Sequence, residues 1–266
     1  MRQSNGYIIG FSAALTIVLG GLLALAATLL KEPQGIQKEL DKKKQILGAV
    51  MSNVPQGEEA IAFYEQNIVS VVIDANGNEI EGVKAEDINI RKEYKKTDAA
   101  SKRLPVYKFK SRVHEGQVEA YILPVYGNGL WDEIWGYIAL SSDYNTLKGV
   151  VFDHKAETPG LGARITDKEI QQRFKGKKIY GKSGELTSVS FVKGEGNPIA
   201  ADNYSEVDGL SGATMTTKGV NAMLESYFTL YAPYIEKSKN SNVTTAHSNV
   251  QIDYFNNKSS DRFIQQ

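Results

Sequence analysis

The sequence contains no cysteine and only three histidines, His114, His154 and His247. The absence of cysteine excludes disulfides, thiolate nucleophiles, cysteine-ligated iron–sulfur clusters and thiolate zinc sites. The histidines are scattered along the chain, so a histidine-rich metal centre is not expected. Redox or catalytic chemistry would therefore have to come from an organic cofactor, from carboxylates or from hydroxyls.

Net charge is also missing, because 31 Lys and Arg residues balance 31 Asp and Glu residues. A protein that binds nucleic acid by neutralising phosphates normally carries a clear basic excess, so no nucleic-acid partner is expected. The remaining composition, 41% hydrophobic and 23% charged over 266 residues, is that of a globular protein. The length allows one large domain or two small ones.

Long apolar runs are absent except for residues 7–30, which contain no charged side chain. A helix of that length spans the hydrocarbon core of a bilayer, about 30 Å thick. The alternative is a cleaved signal peptide, but the apolar core of such a peptide is shorter. We therefore predict a single transmembrane anchor, in contact with membrane lipid, within residues 1–33.

The charges on the two sides of this run do not decide its orientation. Arg2 alone precedes the run, whereas five lysines follow it between residues 31 and 44. Counting these charges would place the large domain in the cytoplasm, but long domains translocate largely regardless of charge.

The rest of the chain predicts an α+β or mixed α/β domain. Residues 34–66 are expected to form a helical stalk, 67–236 the main domain, and the polar segment 237–266 a disordered tail. Runs rich in Val, Ile and Tyr between turn residues predict strands. These runs are 68–73, 79–83, 104–109, 117–125, 134–142, 148–153 and 187–192.

Two further helices are expected in this domain. Thr166 and Glu169 have the spacing of a capping box, which predicts a short helix over 166–175. A helix with a continuous apolar stripe is predicted from Thr216, with Thr216 and Thr217 placed to cap its start. Strands mixed with scattered helices are typical of the α+β class.

Three glycine-bearing segments are candidates for a binding site. They are Gly127-Asn128-Gly129-Leu130-Trp131, His154 to Gly162, and Asp208-Gly209-Leu210-Ser211-Gly212-Ala213-Thr214. Taken singly, each could be only a turn or the start of a helix. The third directly precedes the striped helix, where unpaired N–H groups and the helix dipole favour an anion such as a phosphate. His154 is expected to be a turn residue or hydrogen-bonding partner, with general acid–base catalysis as the alternative.

Together these segments resemble a known family. Asp208-x-x-Ser211-Gly212-Ala213-Thr214 is similar to the covalent flavinylation motif D-x-x-[S/T]-G-A-T, and Glu157-Thr158-Pro159-Gly160-Leu161-Gly162 is similar to the flavin-contacting loop of the FMN-binding domain family. Gly127 to Trp131, with Trp135-Gly136-Tyr137, resembles the variant found in the family of the C subunit of the Na⁺-translocating NADH:quinone reductase. The resemblance covers residues 1–235.

The resemblance implies a role for each residue of the third segment. Thr214 would carry FMN covalently through a phosphoester, and Ser211 and Gly212 would line the phosphate. Asp208 would be recognised by the flavin transferase that uses FAD as the donor.

The first two segments would hold the rest of the cofactor. The implied contacts to the isoalloxazine ring or the ribityl chain are Glu157, Thr158, Leu161 and Gly162, with Leu130 and Trp131 packed on the ring. Lys193 is a further candidate for a flavin contact, with ordinary solvation as the alternative.

In this family the flavin would relay electrons between neighbouring subunits of a membrane translocase, with the FMN domain in the periplasm. The complex as a whole would oxidise NADH, reduce ubiquinone and export Na⁺. This chain shows no G-x-G-x-x-G motif for an NADH site of its own. Two alternatives stay open: the G subunit of the related Rnf electron-transport complex, and a non-redox, membrane-tethered binding module. The Gly-Leu-Trp segment and the chain length favour the quinone reductase.

Overall fold

The protein is described here by a computed structural model. It describes residues 4–110, 117–197 and 203–260, with side chains up to residue 240. The chain divides into two compact units, residues 1–44 and 45–266. The first helix, α1 (Asn5–Gly48), begins in the first unit and ends in the second.

The first unit consists of the amino-terminal part of α1. The helix continues without a break through the uncharged run at 7–30 and through Pro33. It is long and apolar enough to cross a membrane, and none of its apolar stretch is buried within the protein. Among the described residues it is the one helix with this property.

The second unit is a mixed α/β domain. Its helices are α2 (Gly57–Asn67), α3 (Ile90–Tyr94), α4 (Lys168–Gln172) and α5 (Thr214–Ser260). Its strands are β1 (Ile68–Ile73), β2 (Leu104–Lys110), β3 (Val118–Asn128), β4 (Glu133–Ser141), β5 (Leu147–His154), β6 (Ser190–Phe191) and β7 (Glu206–Val207). Short 3₁₀ turns cover Ala85–Asp87, Ala99–Ser101 and Gly162–Thr166.

The first five strands form one antiparallel sheet in the order β1-β2-β3-β4-β5. An amino-terminal apolar helix followed by a mixed α/β domain confirms the fold class predicted from the sequence. Because each strand pairs with the next along the chain, β3 and β5 run in the same direction on either side of β4. The ends of β3 and β5 therefore lie at the same edge of the sheet.

Both faces of this sheet are covered, so the central strands are buried along most of their length. One face carries Leu123, Val125 and Ile138 and packs against α5 and the carboxy-terminal elements. The other carries Ile122 and Ala139 and packs against the end of α1 and against α2.

Helix α5 buries the apolar stripe that the sequence predicts. Its members are Val220, Met223, Leu224, Tyr227, Phe228 and Tyr231. Near its start, Gly219 lets the helix approach the sheet closely, because a Cβ there would collide with the carbonyl oxygen of Asn128. Three turns later the hydroxyl of Tyr231 shares its hydrogen between the carbonyl oxygens of Pro105 and Pro124, at 3.0 and 3.1 Å.

A second, parallel pair of short strands, β6 and β7, lies beside α5. The side-chain amide of Asn221 accepts a hydrogen bond from the backbone N–H of Phe191 at 2.8 Å and donates one to its carbonyl oxygen at 2.9 Å. The Asn221 amide thus bonds to the N–H and the carbonyl oxygen of one residue, as a neighbouring strand would, and it holds β6 against the helix.

Helix α5 extends further toward the carboxy terminus than the sequence pattern predicts. Where a disordered tail is predicted from residue 237, the backbone is helical through Ser260. Residues 261–266 of that predicted tail lie outside the described part of the chain.

Candidate functional site

The three glycine-bearing segments meet at one edge of the sheet. The first is the turn between β3 and β4, closed by a hydrogen bond from the N–H of Gly129 to the carbonyl oxygen of Asp132 at 2.8 Å. The second leaves the end of β5, where the N–H of Lys155 binds the carbonyl oxygen of Glu133 at 3.0 Å. The third leads into α5, whose start is held against Asn128 through Gly219.

The carboxylate of Glu157 joins these segments from the inside. Only 4% of Glu157 is exposed to solvent. Its Oε1 accepts a hydrogen bond from the backbone N–H of Trp131 at 3.0 Å, and its Oε2 accepts one from the Thr216 hydroxyl at 2.6 Å. One buried side chain therefore fixes the β3–β4 turn to the first turn of α5.

Glycines make room for this arrangement. A Cβ at Gly129 would collide with Oε1 of Glu157, and one at Gly162 would collide with both Oε2 of Glu157 and the Thr216 hydroxyl. Gly129 and Gly162 are thus explained by close approach to one carboxylate.

Gly212 has a different reason to be glycine. Its φ of +74° is disfavoured for residues with a side chain, and a Cβ there would lie 2.6 Å from Cδ2 of Leu161. The turn that precedes Thr214 is therefore in direct contact with the loop that contains Glu157 and Leu161.

Large apolar side chains are exposed around this junction. They are Leu130, Trp131, Leu161 and Met215. Trp131 is 68% exposed, yet its ring is oriented by a 3.0 Å hydrogen bond from Nε1 to the hydroxyl of Thr158. Exposed apolar groups that converge on one place with a few fixed polar groups are typical of a ligand site.

Thr214 is the first residue of α5, and its side chain is exposed. The predicted caps at Thr216 and Thr217 are wrong, because the helix begins two residues earlier than expected. The Thr216 hydroxyl donates to Glu157, and the Thr217 hydroxyl donates to the carbonyl oxygen of Thr214 at 3.1 Å. Of the three threonines in this turn, Thr214 is thus the one that is exposed to solvent.

The Asp208 carboxylate forms hydrogen bonds within the chain. Its two carboxylate oxygens accept hydrogen bonds from the backbone N–H groups of Gly196 and Asn197 at 2.7 and 2.9 Å. Lys193 is exposed in the same loop, where the carbonyl oxygens of Val192 and Gly194 lie against Gly209. These two predicted site residues therefore lie on the side of the site formed by the loop after β6.

His154 is the last residue of β5 and acts as a hydrogen-bonding partner, one of the two roles expected of it. Its Nδ1 accepts a hydrogen bond from the backbone N–H of Glu157 at 3.2 Å. This contact helps to aim the Glu157 side chain inward at the end of β5.

The sequence reasoning missed a group of charged residues beside Asp208. Arg164 donates two hydrogen bonds to the carboxylate of Glu195, at 3.0 and 2.8 Å, and Arg173 contacts both Glu195 and Asp208. The Arg164 guanidinium and the backbone N–H of Ser211 lower the pKa of Glu195 to about 2. Glu195 lies 31 residues from Arg164 and 22 from Arg173, so no local spacing could have signalled the group.

Comparison with known proteins identifies the domain. Residues 129–229 match the family of the FMN-binding domain. The C subunit of the Na⁺-translocating NADH-quinone reductase from Haemophilus ducreyi is 35% identical over 243 residues, covering 85% of this chain and 91% of the relative. The same subunit from Pseudomonas aeruginosa is 31% identical, covering 84% of this chain and 91% of the relative.

Solved structures give the same result. The C subunit of the Na⁺-translocating NADH-quinone reductase from Parabacteroides distasonis superposes with a TM-score of 0.67 at 36% identity, covering 77% of this chain and 96% of that one. NqrC from Shewanella oneidensis also gives a TM-score of 0.67, at 27% identity, covering 77% of this chain and 99% of that one. By sequence and by structure, the chain belongs to the family of the C subunit of the Na⁺-translocating NADH-quinone reductase.

Proposed function

We propose that this chain is an electron-carrying subunit of a Na⁺-translocating NADH-quinone reductase, and that Thr214 carries FMN through a phosphoester. The observation that supports the attachment point most is the position of Thr214. Its side chain is exposed at the first residue of a long helix, beside the exposed apolar groups Leu130, Trp131, Leu161 and Met215. The partners of the chain would be the other subunits of the complex.

The residues around Thr214 suit the two halves of FMN. The first N–H groups of α5 and the positive end of its dipole favour a phosphate, and Gly212 keeps the turn free of side-chain bulk. The exposed rings and aliphatic groups of Trp131, Leu130 and Leu161 suit a flat apolar ring system. When bound, FMN would supply the redox chemistry, while the protein holds and orients it.

Glu157 has a supporting part in this proposal. Its carboxylate is turned inward to Trp131 and Thr216, so it would orient the neighbouring flavin contacts. Thr158 has a similar effect on the indole ring, because its hydroxyl accepts the bond from Nε1 of Trp131.

Attachment would need a flavin transferase with FAD as the donor. A bond would form between Oγ of Thr214 and the phosphorus on the flavin half of FAD, and the pyrophosphate bond would break. AMP and the hydroxyl proton would be released, so that FMN remains as the ester.

The proposal is tested by denaturing gel electrophoresis of the full-length chain, coexpressed with a flavin transferase. A covalent flavin gives a fluorescent band after denaturation, which we expect here. A non-redox binding module would give none, and a dark band at the mass of the intact chain would therefore refute the proposed function. Membership of the C-subunit family favours the quinone reductase over the G subunit of the Rnf complex.

Family membership and the apolar helix together indicate a membrane-anchored subunit. We further propose that the anchor is uncleaved and that the domain lies in the periplasm of a bacterial inner membrane. Reporter fusions after residue 35 would test this orientation, with an active periplasmic reporter expected. An active cytoplasmic reporter would overturn the periplasmic orientation. It would also rule out attachment of the flavin by a transferase that acts outside the cytoplasm.

A further inference from the structure

Four charged side chains form a connected group next to the segment that precedes Thr214. We call it the Glu195 network, and its members are Arg164, Arg173, Glu195 and Asp208. Each of the four is partly buried, with between 18% and 29% of its side chain exposed. Charged pairs in such positions are less screened by solvent than surface pairs, and the two-bond contact from Arg164 to Glu195 is directional as well as strong.

The Glu195 network holds the chain from Asp208 to Ser211 by direct contacts. Glu195 Oε2 accepts the backbone N–H of Ser211 at 3.1 Å. Arg173 donates to the carbonyl oxygens of Asp208 and Gly209 at 3.2 and 3.0 Å. From the other side, the Asp208 carboxylate accepts the N–H groups of Gly196 and Asn197, so the two loops bind each other reciprocally.

Arg164 differs from the others in what it contacts. Its guanidinium binds Glu195 and lies near Asp167, whereas Glu195 and Arg173 each bind the backbone of the 208–211 segment. The loss of Arg164 therefore weakens the network while the direct contacts to that segment stay in place.

We propose that Glu195 and Arg173 are positioning residues for the attachment of FMN to Thr214, and that Asp208 acts with them by fixing the segment from inside the chain. This inference rests on the proposed function. Transfer from FAD requires the Thr214 hydroxyl to be aligned with the pyrophosphate, and small displacements of a reacting group slow such reactions strongly. Ser211 is three residues before Thr214, so a fixed Ser211 N–H limits the positions that the hydroxyl can take.

The experiment measures the rate of covalent flavin incorporation into the full-length chain, purified without flavin and mixed with a flavin transferase and FAD. The test variant is Glu195→Ala, measured at a temperature where melting curves show every variant folded. We expect its rate to fall by about 10- to 100-fold, the range for losing a hydrogen bond to a charged group. Arg164→Ala breaks the same ion pair but keeps the Ser211 bond, so its rate should fall much less.

The chain offers a matched control in the pair formed by Lys148 and Glu119. Its atoms are 3.0 Å apart and its side chains are 30% and 23% exposed, against 29% and 23% for Arg164 and Glu195. Glu119 and Lys148 lie near the starts of β3 and β5, at the end of the sheet away from the site. Glu119→Ala should therefore incorporate flavin at the rate of the unchanged chain.

A purely structural network predicts a different pattern. In that case the rates of E195A and R164A would fall together, in step with their melting temperatures, and this would overturn the inference. A rate for E195A equal to that of the unchanged chain would overturn it as well. Should E195A not fold, Arg173→Gln compared with Arg164→Gln gives the same decision, since it is Arg173 whose guanidinium binds the 208–211 backbone.

The proposed function and the role of the Glu195 network can be refuted separately. An unchanged chain that takes up no covalent flavin refutes the proposed function. An unchanged chain that is flavinylated, with E195A equally fast, refutes only the role of the Glu195 network.

Discussion

Replacing Thr214 with valine is expected to abolish covalent FMN and to leave the domain folded. Valine has nearly the shape of threonine and lacks only the hydroxyl that would form the ester. Because the Thr214 side chain is exposed, we expect the free energy of unfolding to change by less than about 0.5 kcal/mol. Intact mass of the variant coexpressed with a flavin transferase, alongside thermal melting, measures both effects.

Two neighbouring threonines provide controls for this experiment. Thr217→Val removes a hydroxyl in the same helical turn, one that bonds locally to the carbonyl oxygen of Thr214, and should keep the flavin. Thr216→Val removes the donor to the buried Glu157, so it should lower stability by about 1–3 kcal/mol while keeping the Thr214 hydroxyl, the proposed acceptor. A T214V protein that still carries the mass of FMN would show that the acceptor is another residue.

Replacing Glu157 with leucine is expected to have the largest effect on stability. The substitution leaves the backbone N–H of Trp131 and the hydroxyl of Thr216 without their buried acceptor. Each unsatisfied group costs about 1–3 kcal/mol, so for the two groups we expect a loss of about 2–6 kcal/mol in the free energy of unfolding. Denaturant unfolding of the full-length chain in detergent measures it.

Replacing Glu157 with glutamine tests whether stability depends on the shape of this side chain or on its charge. Its amide oxygen can accept from Trp131 while its amide nitrogen donates to the Thr216 oxygen, so both bonds can form with one reversed. We expect E157Q to cost only about 1 kcal/mol. If E157Q proves as unstable as E157L, the position needs the carboxylate itself, and the account of Glu157 as a hydrogen-bonded link between loops is wrong.

Much of the fold could be predicted because its signals are local. The five strands of the main sheet are apolar runs bounded by turn residues, and the stripe of α5 has the helical period. The capping box at Thr166 and Glu169 is wrong, because the Thr166 hydroxyl bonds to the carbonyl oxygen of Ala163 and α4 covers only Lys168–Gln172. A hydroxyl that finds a nearby backbone acceptor leaves the cap unformed.

The strand predicted at 79–83, after β1, is almost absent. Asn76 and Gly77 form a turn in which Gly77 has a positive φ, but the strand that follows is reduced to a single bridge between Ile73 and Glu79. The Asp74 side chain accepts the N–H groups of Asn76 and Asn78, which adds to the backbone bonds that close this turn, and the ladder does not extend beyond the bridge.

The sequence could predict only part of the candidate site, because some of its features are local and others depend on distant residues. The turn glycines and Thr214 are visible in the sequence because they belong to short local motifs, although the contacts that explain Gly129, Gly162 and Gly212 are made with distant residues. The inward direction of Glu157 and the contacts of Glu195 depend on residues brought together by the sheet order and by α5. Sequence patterns carry no information on such pairs, which only the folded chain creates.

Helix α5 is fastened to the sheet at two places, Gly219 against Asn128 and Tyr231 against Pro105 and Pro124. These positions are 12 residues apart, or about 18 Å along the axis. Inserting one residue between Thr214 and Gly219 would turn the threonine by about 100° and shift it by about 1.5 Å relative to these fixed points. The number of residues between Thr214 and Gly219 thus sets the position of the proposed acceptor hydroxyl relative to the sheet, and this stretch is constrained in length more strictly than in composition.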